Sequence, residues 1–228
     1  MDVAANLAAV KDRITRAAER AGRSPAEILL VGISKTVDVE RIRQALAAGV
    51  PALGENRVQE AKANIDALGH PVPWHLVGSL QTNKARDAVR LFDWIQSVDR
   101  PELARELARR ARSEGKVVHV LVEVNLAGEA TKGGIVPTQL KTLLEEIAPL
   151  SGIKAKGLMA IPPPADNPDG SRPWFRQLRE LRETAAGWKL PGVEMTELSM
   201  GMSADFEVAI EEGATMVRVG TAIFGERH

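Results

Sequence analysis

The sequence predicts one closed α/β barrel of the TIM type, a (β/α)8 ring of parallel strands with an extra N-terminal helix. Three observations predict it. Short apolar runs and amphipathic helical stretches alternate eight times along the chain. The runs lack apolar–polar alternation, as do strands buried on both faces. No linker divides the 228 residues, so a single domain spans 1–228. A doubly wound open sheet shares this alternation, because periodicity does not report closure.

The elements justify themselves in order. Val3, Leu7, Val10, Ile14, Ala17 and Ala21 stand four and three apart, one helical stripe that Gly22 ends. Ile28–Ser34 is the first buried strand. Asp38 caps a helix carrying Val39, Ile42 and Leu46, which Gly49 stops. A short strand at Pro51–Gly54 precedes a helix with Val58, Ala61, Ile65 and Leu68 on one side. Trp74–Gly78 is the third strand, followed by a helix over Gln81–Leu91, and Asp93–Val98 is the fourth. Asp99 with Glu102 resembles a capping box opening a helix that ends at Gly115. Val117–Asn125, Ile153–Ala160, Val193–Leu198 and Met216–Val219 complete the strands. Helices at Thr138–Leu150, Pro173–Ala186 and from Ser203 to Gly213 separate them. Only Thr221–His228 follows the last strand, so the N-terminal helix is expected to cover the gap left in the outer ring.

Composition removes several function classes. Thirty basic residues balance thirty acidic ones, which gives no broad attraction to nucleic acid or anionic lipid. No apolar run is long enough to span a membrane, and Lys11, Asp12 and Arg13 cut short the N-terminal apolar stretch, unlike a signal peptide. Absence of cysteine excludes disulfides, thiol nucleophiles and thiolate metal sites, and suits a reducing cytoplasm. His70, His75, His119 and His228 form no zinc-type spacing, so no metal is expected. Charged helix surfaces and few aromatic residues favour a monomer.

Barrel chemistry gathers where strands end. Those ends carry Lys35, Glu55 with Asn56, His75 with Ser79, Asn125, Met159, Ser199, and Arg218 with Gly220 and Thr221. Lys35 directly follows ILLVGIS; if it points inward, period two places Leu29, Val31 and Ile33 in the barrel core. A desolvated lysine amine attacks carbonyls to form a Schiff base, whereas a strand-end lysine in solvent does nothing. LSMGMS (198–203) and RVGTAIFG (218–225) offer hydroxyls and backbone N–H groups after strands seven and eight, where phosphate sites recur in barrels. Alternatively Ser203 is an N-cap and the glycines are turns. A lysine for an aldehyde and a cradle for a phosphate together match pyridoxal 5′-phosphate. Arg218 beside its ring nitrogen would keep that nitrogen unprotonated and weaken the ring as an electron sink. Lys156 on strand six is a second candidate lysine, for a Schiff-base aldolase. His75 offers a general base, but a lone histidine there is more often a packed core residue, and Lys132 in GEATKGG reads by default as a solvated loop lysine.

Seven ordered blocks carry a resemblance over essentially the whole chain: LVGISK, GENRVQE, WHLVGSLQTNK, VNLAGEATKGG, GLMAIP, LSMGMSADFEVAI and MVRVGTAIFG. The chain resembles the pyridoxal phosphate homeostasis proteins, stand-alone barrels similar to the N-terminal domain of alanine racemase. The resemblance implies a Schiff base on Lys35, the phosphate on Ser199, Met200, Gly220 and Thr221, and Arg218 near the pyridine nitrogen. It places Asn56 and His75 along the pocket, with Met159 at a neighbouring strand end, and gives Lys132 a secondary contact. Arg57 departs from the tyrosine that many members carry there. The implied role is to bind, buffer and hand over the cofactor to amino acids or apoenzymes, with no established reaction of its own. The alternative is a slow enzyme acting on amino acids. The racemase second base is a tyrosine from a further domain, and this sequence contains no tyrosine.

Overall fold

A computed structural model describes residues 2–226; His228 lies outside them. Eight strands close into one parallel barrel in chain order: β1 (Leu29–Ile33), β2 (Ala52–Glu55), β3 (Trp74–Leu76), β4 (Trp94–Val98), β5 (Val118–Glu123), β6 (Ile153–Met159), β7 (Val193–Ser199) and β8 (Met216–Val219). Closure comes from β1 pairing with β8, Val31 opposite Arg218, so the open-sheet alternative is excluded.

The strands divide their side chains between two apolar spaces. Val31, Ile33, Ala52 and Val77, with Leu29, form one cluster inside the barrel, as period two predicts for β1. Leu121, Met159 and Met216 form a second, against Trp94. The intervening residues Leu30, Leu53, Trp74, Val120 and Val217 join the larger core between barrel and helices.

The outer ring holds α1 (Val3–Arg20), α2 (Val39–Ala47), α3 (Val58–Leu68), α4 (Ala85–Leu91), α5 (Pro101–Ser113), α6 (Leu140–Ile147), α7 (Arg172–Gly187), α8 (Phe206–Glu211) and the single turn α9 (Thr221–Phe224). The N-terminal helix α1 fills the predicted gap, packing on α8, α9 and α2. Its stripe of Val3, Leu7, Val10, Ile14, Ala17 and Ala18 is buried. Asn6 also donates to the Ile223 carbonyl at 3.0 Å.

Three local expectations are corrected. The second strand runs one residue later than predicted, so Glu55 ends it and is fully buried. The Asp99–Glu102 capping box does not form; Arg100 is the N-cap, Pro101 starts the helix, and Asp99 instead accepts from Arg100 at 2.5 Å. Ser203 does not open the following helix. Asp205 is the N-cap and accepts from the Met202 N–H at 2.7 Å.

Candidate functional site

A cavity of about 610 Å³ opens at the C-terminal ends of the strands, a size typical of small-ligand sites. Lys35, Asn56, Lys132, Arg218, Gly220 and Thr221 all line it.

Lys35 stands at the corner of a tight turn that the Val37 N–H closes on the Ser34 carbonyl at 2.9 Å. Thr36 adopts φ 59°, a strained conformation for a β-branched residue, as found where backbone geometry serves a site. The lysine is half-buried, and its amine makes no hydrogen bond or ion pair among the described residues. Beside it, β2 ends in Glu55, whose Oε1 accepts from Ser34 Oγ at 2.6 Å and Asn64 Nδ2 at 2.9 Å. Burial pushes the Glu55 carboxyl up to about 7, although both hydrogen bonds pull it back.

Arg218 projects from β8 inside the barrel and is 4% exposed. It donates to Ser199 Oγ at 2.6 Å and to the Ala160 carbonyl at 2.9 Å. Ser199 donates to Gln96 Oε1 at 2.5 Å. The Gln96 amide then lies 2.9 Å from His75 Nδ1. Only one direction of donation satisfies this chain, so His75 Nδ1 is the acceptor and Nε2 carries the proton. Burial, followed by repulsion from His119, lowers His75 to about 3, which keeps it the neutral acceptor the chain requires. Burial likewise lowers Arg218 to about 10, opposed by Glu123 and Asp205, and it stays cationic at neutral pH.

The loops after β7 and β8 form a common wall. Gly201 has φ +89°, and a Cβ there would stand 2.5 Å from that of Ala209. Ser203 Oγ accepts from the Ala222 N–H at 3.3 Å, tying the two loops together. Ser203, Ala204, Gly220 and Thr221 face the cavity.

The structure therefore gathers five residues of the sequence-predicted set around one space: Lys35, Asn56, Arg218, Gly220 and Thr221. The other four, His75, Met159, Ser199 and Met200, are fully buried and outside the lining. Met200 already donates its N–H to the Met216 carbonyl at 3.2 Å. Lys132 reaches the lining but pairs with Glu129 at 2.8 Å. Arg57 is exposed and outside the lining. Lys156 also lies outside the lining and pairs with Glu194. That geometry removes the aldolase alternative, which needs Lys156 in the cavity. Among the described residues no cluster of metal-ligating side chains occurs, and no helix is long and apolar enough to cross a membrane. Sequence reasoning missed Glu123 and Gln96; the only signal was a polar residue inside an otherwise apolar strand.

Comparison with known proteins places this arrangement. The alanine racemase N-terminal domain family matches residues 5–228. A pyridoxal phosphate homeostasis protein of Aquifex aeolicus is 48% identical over 228 residues, covering 100% of this chain and 99% of that one. The structure of PipY from Synechococcus elongatus with PLP bound superposes with a TM-score of 0.85 at 36% identity, covering 98% of this chain and 100% of that one. A protein of unknown function from Bifidobacterium adolescentis gives a TM-score of 0.92 at 38% identity, with 98% and 94% covered. By whole-length sequence and by fold, the chain belongs to the alanine racemase N-terminal domain family, among its pyridoxal phosphate homeostasis proteins.

Proposed function

We propose that the barrel binds pyridoxal 5′-phosphate on Lys35 and serves its homeostasis, holding the cofactor reversibly and releasing it to amino acids or PLP-dependent apoenzymes. The observation that carries this reading is the convergence on one cavity of an unpaired lysine, a fixed guanidinium and the paired β7 and β8 loops. Bound there, the cofactor supplies an aldehyde that joins a primary amine reversibly. Lys35 is the amine, and its strained turn aims it. Gly220 and Thr221, with Ser203 beside them and the Ser199–Met200 segment behind, hold the phosphate. Arg218 would meet the ring nitrogen, and Asn56 would hold a polar ring substituent. His75 and Met159 support this layer from inside the barrel.

A carrier fits better than an amino-acid enzyme. A permanent cation at the ring nitrogen opposes its protonation and so weakens electron withdrawal from a bound substrate. The sequence has no tyrosine to serve as a second base, and His75 is sealed beneath the cavity. We assign the protein to the cytoplasm, acting as a monomer.

The test is borohydride reduction after addition of pyridoxal phosphate, followed by peptide mass analysis. A reduced pyridoxyl adduct on Lys35, absent in a folded Lys35→Ala variant, is expected. No adduct, or one on another lysine, would overturn the assignment.

A further inference from the structure

We infer that Glu123 is the receiving group for a primary ammonium, so that the same cavity binds both the cofactor and the amine that takes it away. This rests on the carrier reading and extends it to the class of acceptor.

Glu123 ends β5 with its side chain on the cavity wall and only 8% of its surface exposed. Its Oε2 is buried and has no hydrogen-bond partner among the described residues. Buried carboxylate oxygens are normally paired, so an unpaired one facing a cavity marks a place for a donor.

Among the described residues the protein itself supplies none. The chain after β5 folds back, with Ile135 N–H donating to the Glu123 carbonyl at 2.9 Å, and roofs the carboxyl with Gly133 and Gly134. A Cβ on Gly133 would stand 3.4 Å from Oε2 and 3.5 Å from Oε1. One on Gly134, at φ +95°, would stand 3.1 Å from Cγ. Two residues without side chains thus cover the carboxyl without adding a side-chain donor to it.

The neighbouring charges have other work. Arg218 from β8 is spent on Ser199 and Ala160, and Lys132 from the loop is spent on Glu129. Lys35, after β1, is the cofactor's anchor. Asp99, after β4, adds negative potential.

Charge then selects the ligand. The cofactor's phosphate is an anion, which a carboxylate repels, so that group belongs on the β7–β8 side. A cation is attracted, and a primary ammonium is the cation that an acceptor of this cofactor presents. Burial and Asp99 push the Glu123 carboxyl up to about 7, with Arg218 opposing them. Poised there, the carboxylate accepts one proton from the ammonium. The N–H bond breaks, an O–H bond forms on Glu123, and the amine is left neutral with its lone pair free; as it took the cofactor's carbon, the bond to Lys35 would break and the departing lysine nitrogen would take up that proton. No electron transfer is involved.

The experiment has two arms, both with methylammonium as the probe. In the cofactor-free protein, the Glu123 carboxyl carbon is followed by NMR and assigned by its loss in Glu123→Asp. Saturable displacement of that signal, with its titration moved to lower pH, is expected. In the loaded protein, amine-driven release of the cofactor is followed by absorbance. Glu123→Gln should slow it about tenfold, the scale of one hydrogen bond to a charged group, and Glu123→Asp should restore part of the rate. A carboxyl signal indifferent to methylammonium, or a Glu123→Gln variant that releases at the normal rate, would overturn the inference. If Glu123→Gln does not fold, the NMR arm decides alone. Loss of the Lys35 adduct in the unaltered protein would instead sink the carrier reading.

Discussion

Arg218 owes its position to residues that never reach the cavity. Its guanidinium is fixed by Ser199, Ser199 by Gln96, and the Gln96 amide by His75. Arg218 keeps a second acceptor in the Ala160 carbonyl, but each remaining link orients the next, so removing the middle of the chain affects both ends. Gln96→Leu keeps the volume but leaves the Ser199 hydroxyl without an acceptor and His75 Nδ1 without a donor. The cost is about 1–2 kcal/mol of positioning for Arg218, a roughly five- to thirtyfold rise in the cofactor dissociation constant. An absorbance titration measures it, with circular dichroism to show an intact barrel. Binding at the normal affinity would reduce Gln96 to a packing residue. This chain was also the least legible part of the site. Lys35, Asn56, Arg218, Gly220 and Thr221 stand at strand ends, where position alone marks them. Gln96 and Glu123 sit in WIQSV and VHVLVE, where only the direction of a side chain separates a barrel-lining polar group from a rim residue, and direction follows from closure.

Among the elements, α1 shows how far pattern carries. Its stripe, its end and its sealing role were legible because burying one face of an amphipathic helix is a requirement that sequence displays. Helix starts were less legible. Pro101 at the first helical position fixes where α5 begins regardless of the acidic residues flanking it, and α8 starts after Asp205, whose carboxylate accepts from the preceding Met202 N–H and not from the helix. The offset of β2 has the same origin, since a four-residue strand offers no period to count. Because α1 closes the ring from outside, Leu7→Ala should weaken the barrel without touching the cavity. Leu7 is 1% exposed, and truncating such a leucine costs about 2–5 kcal/mol. Urea denaturation should show that loss while borohydride labelling of Lys35 remains complete under native conditions. Loss of labelling in the folded variant would mean that α1 also shapes the site.

For the whole molecule, stability against pH follows from a balance of buried acids and buried imidazoles. Glu55 and Glu123 are both raised to about 7 by burial, so in acid the folded chain keeps protons that the unfolded chain has lost. Their contribution is complete below the ordinary carboxylate value and disappears as pH rises through 7. His75, lowered to about 3, and His119, lowered by burial and then by Lys156, act in the opposite sense. Below the ordinary imidazole value the unfolded chain protonates them while the folded chain does not, so stability falls as pH drops. Between pH 5 and 6.5 the two acids oppose His75, and His119 adds to the imidazole side in the same sense. Glu55→Gln removes one acid from the balance. One proton is worth about 1.4 kcal/mol per pH unit, so relative to the parent this variant should gain about 1–2 kcal/mol between pH 5 and 6.5. His75→Asn should show the reverse slope. Urea denaturation at the two pH values measures both, and the comparison within each variant cancels any fixed cost of the substitution. A Glu55→Gln profile parallel to the parent's would mean that Glu55 is ionised throughout, and that Ser34 and Asn64 outweigh its burial.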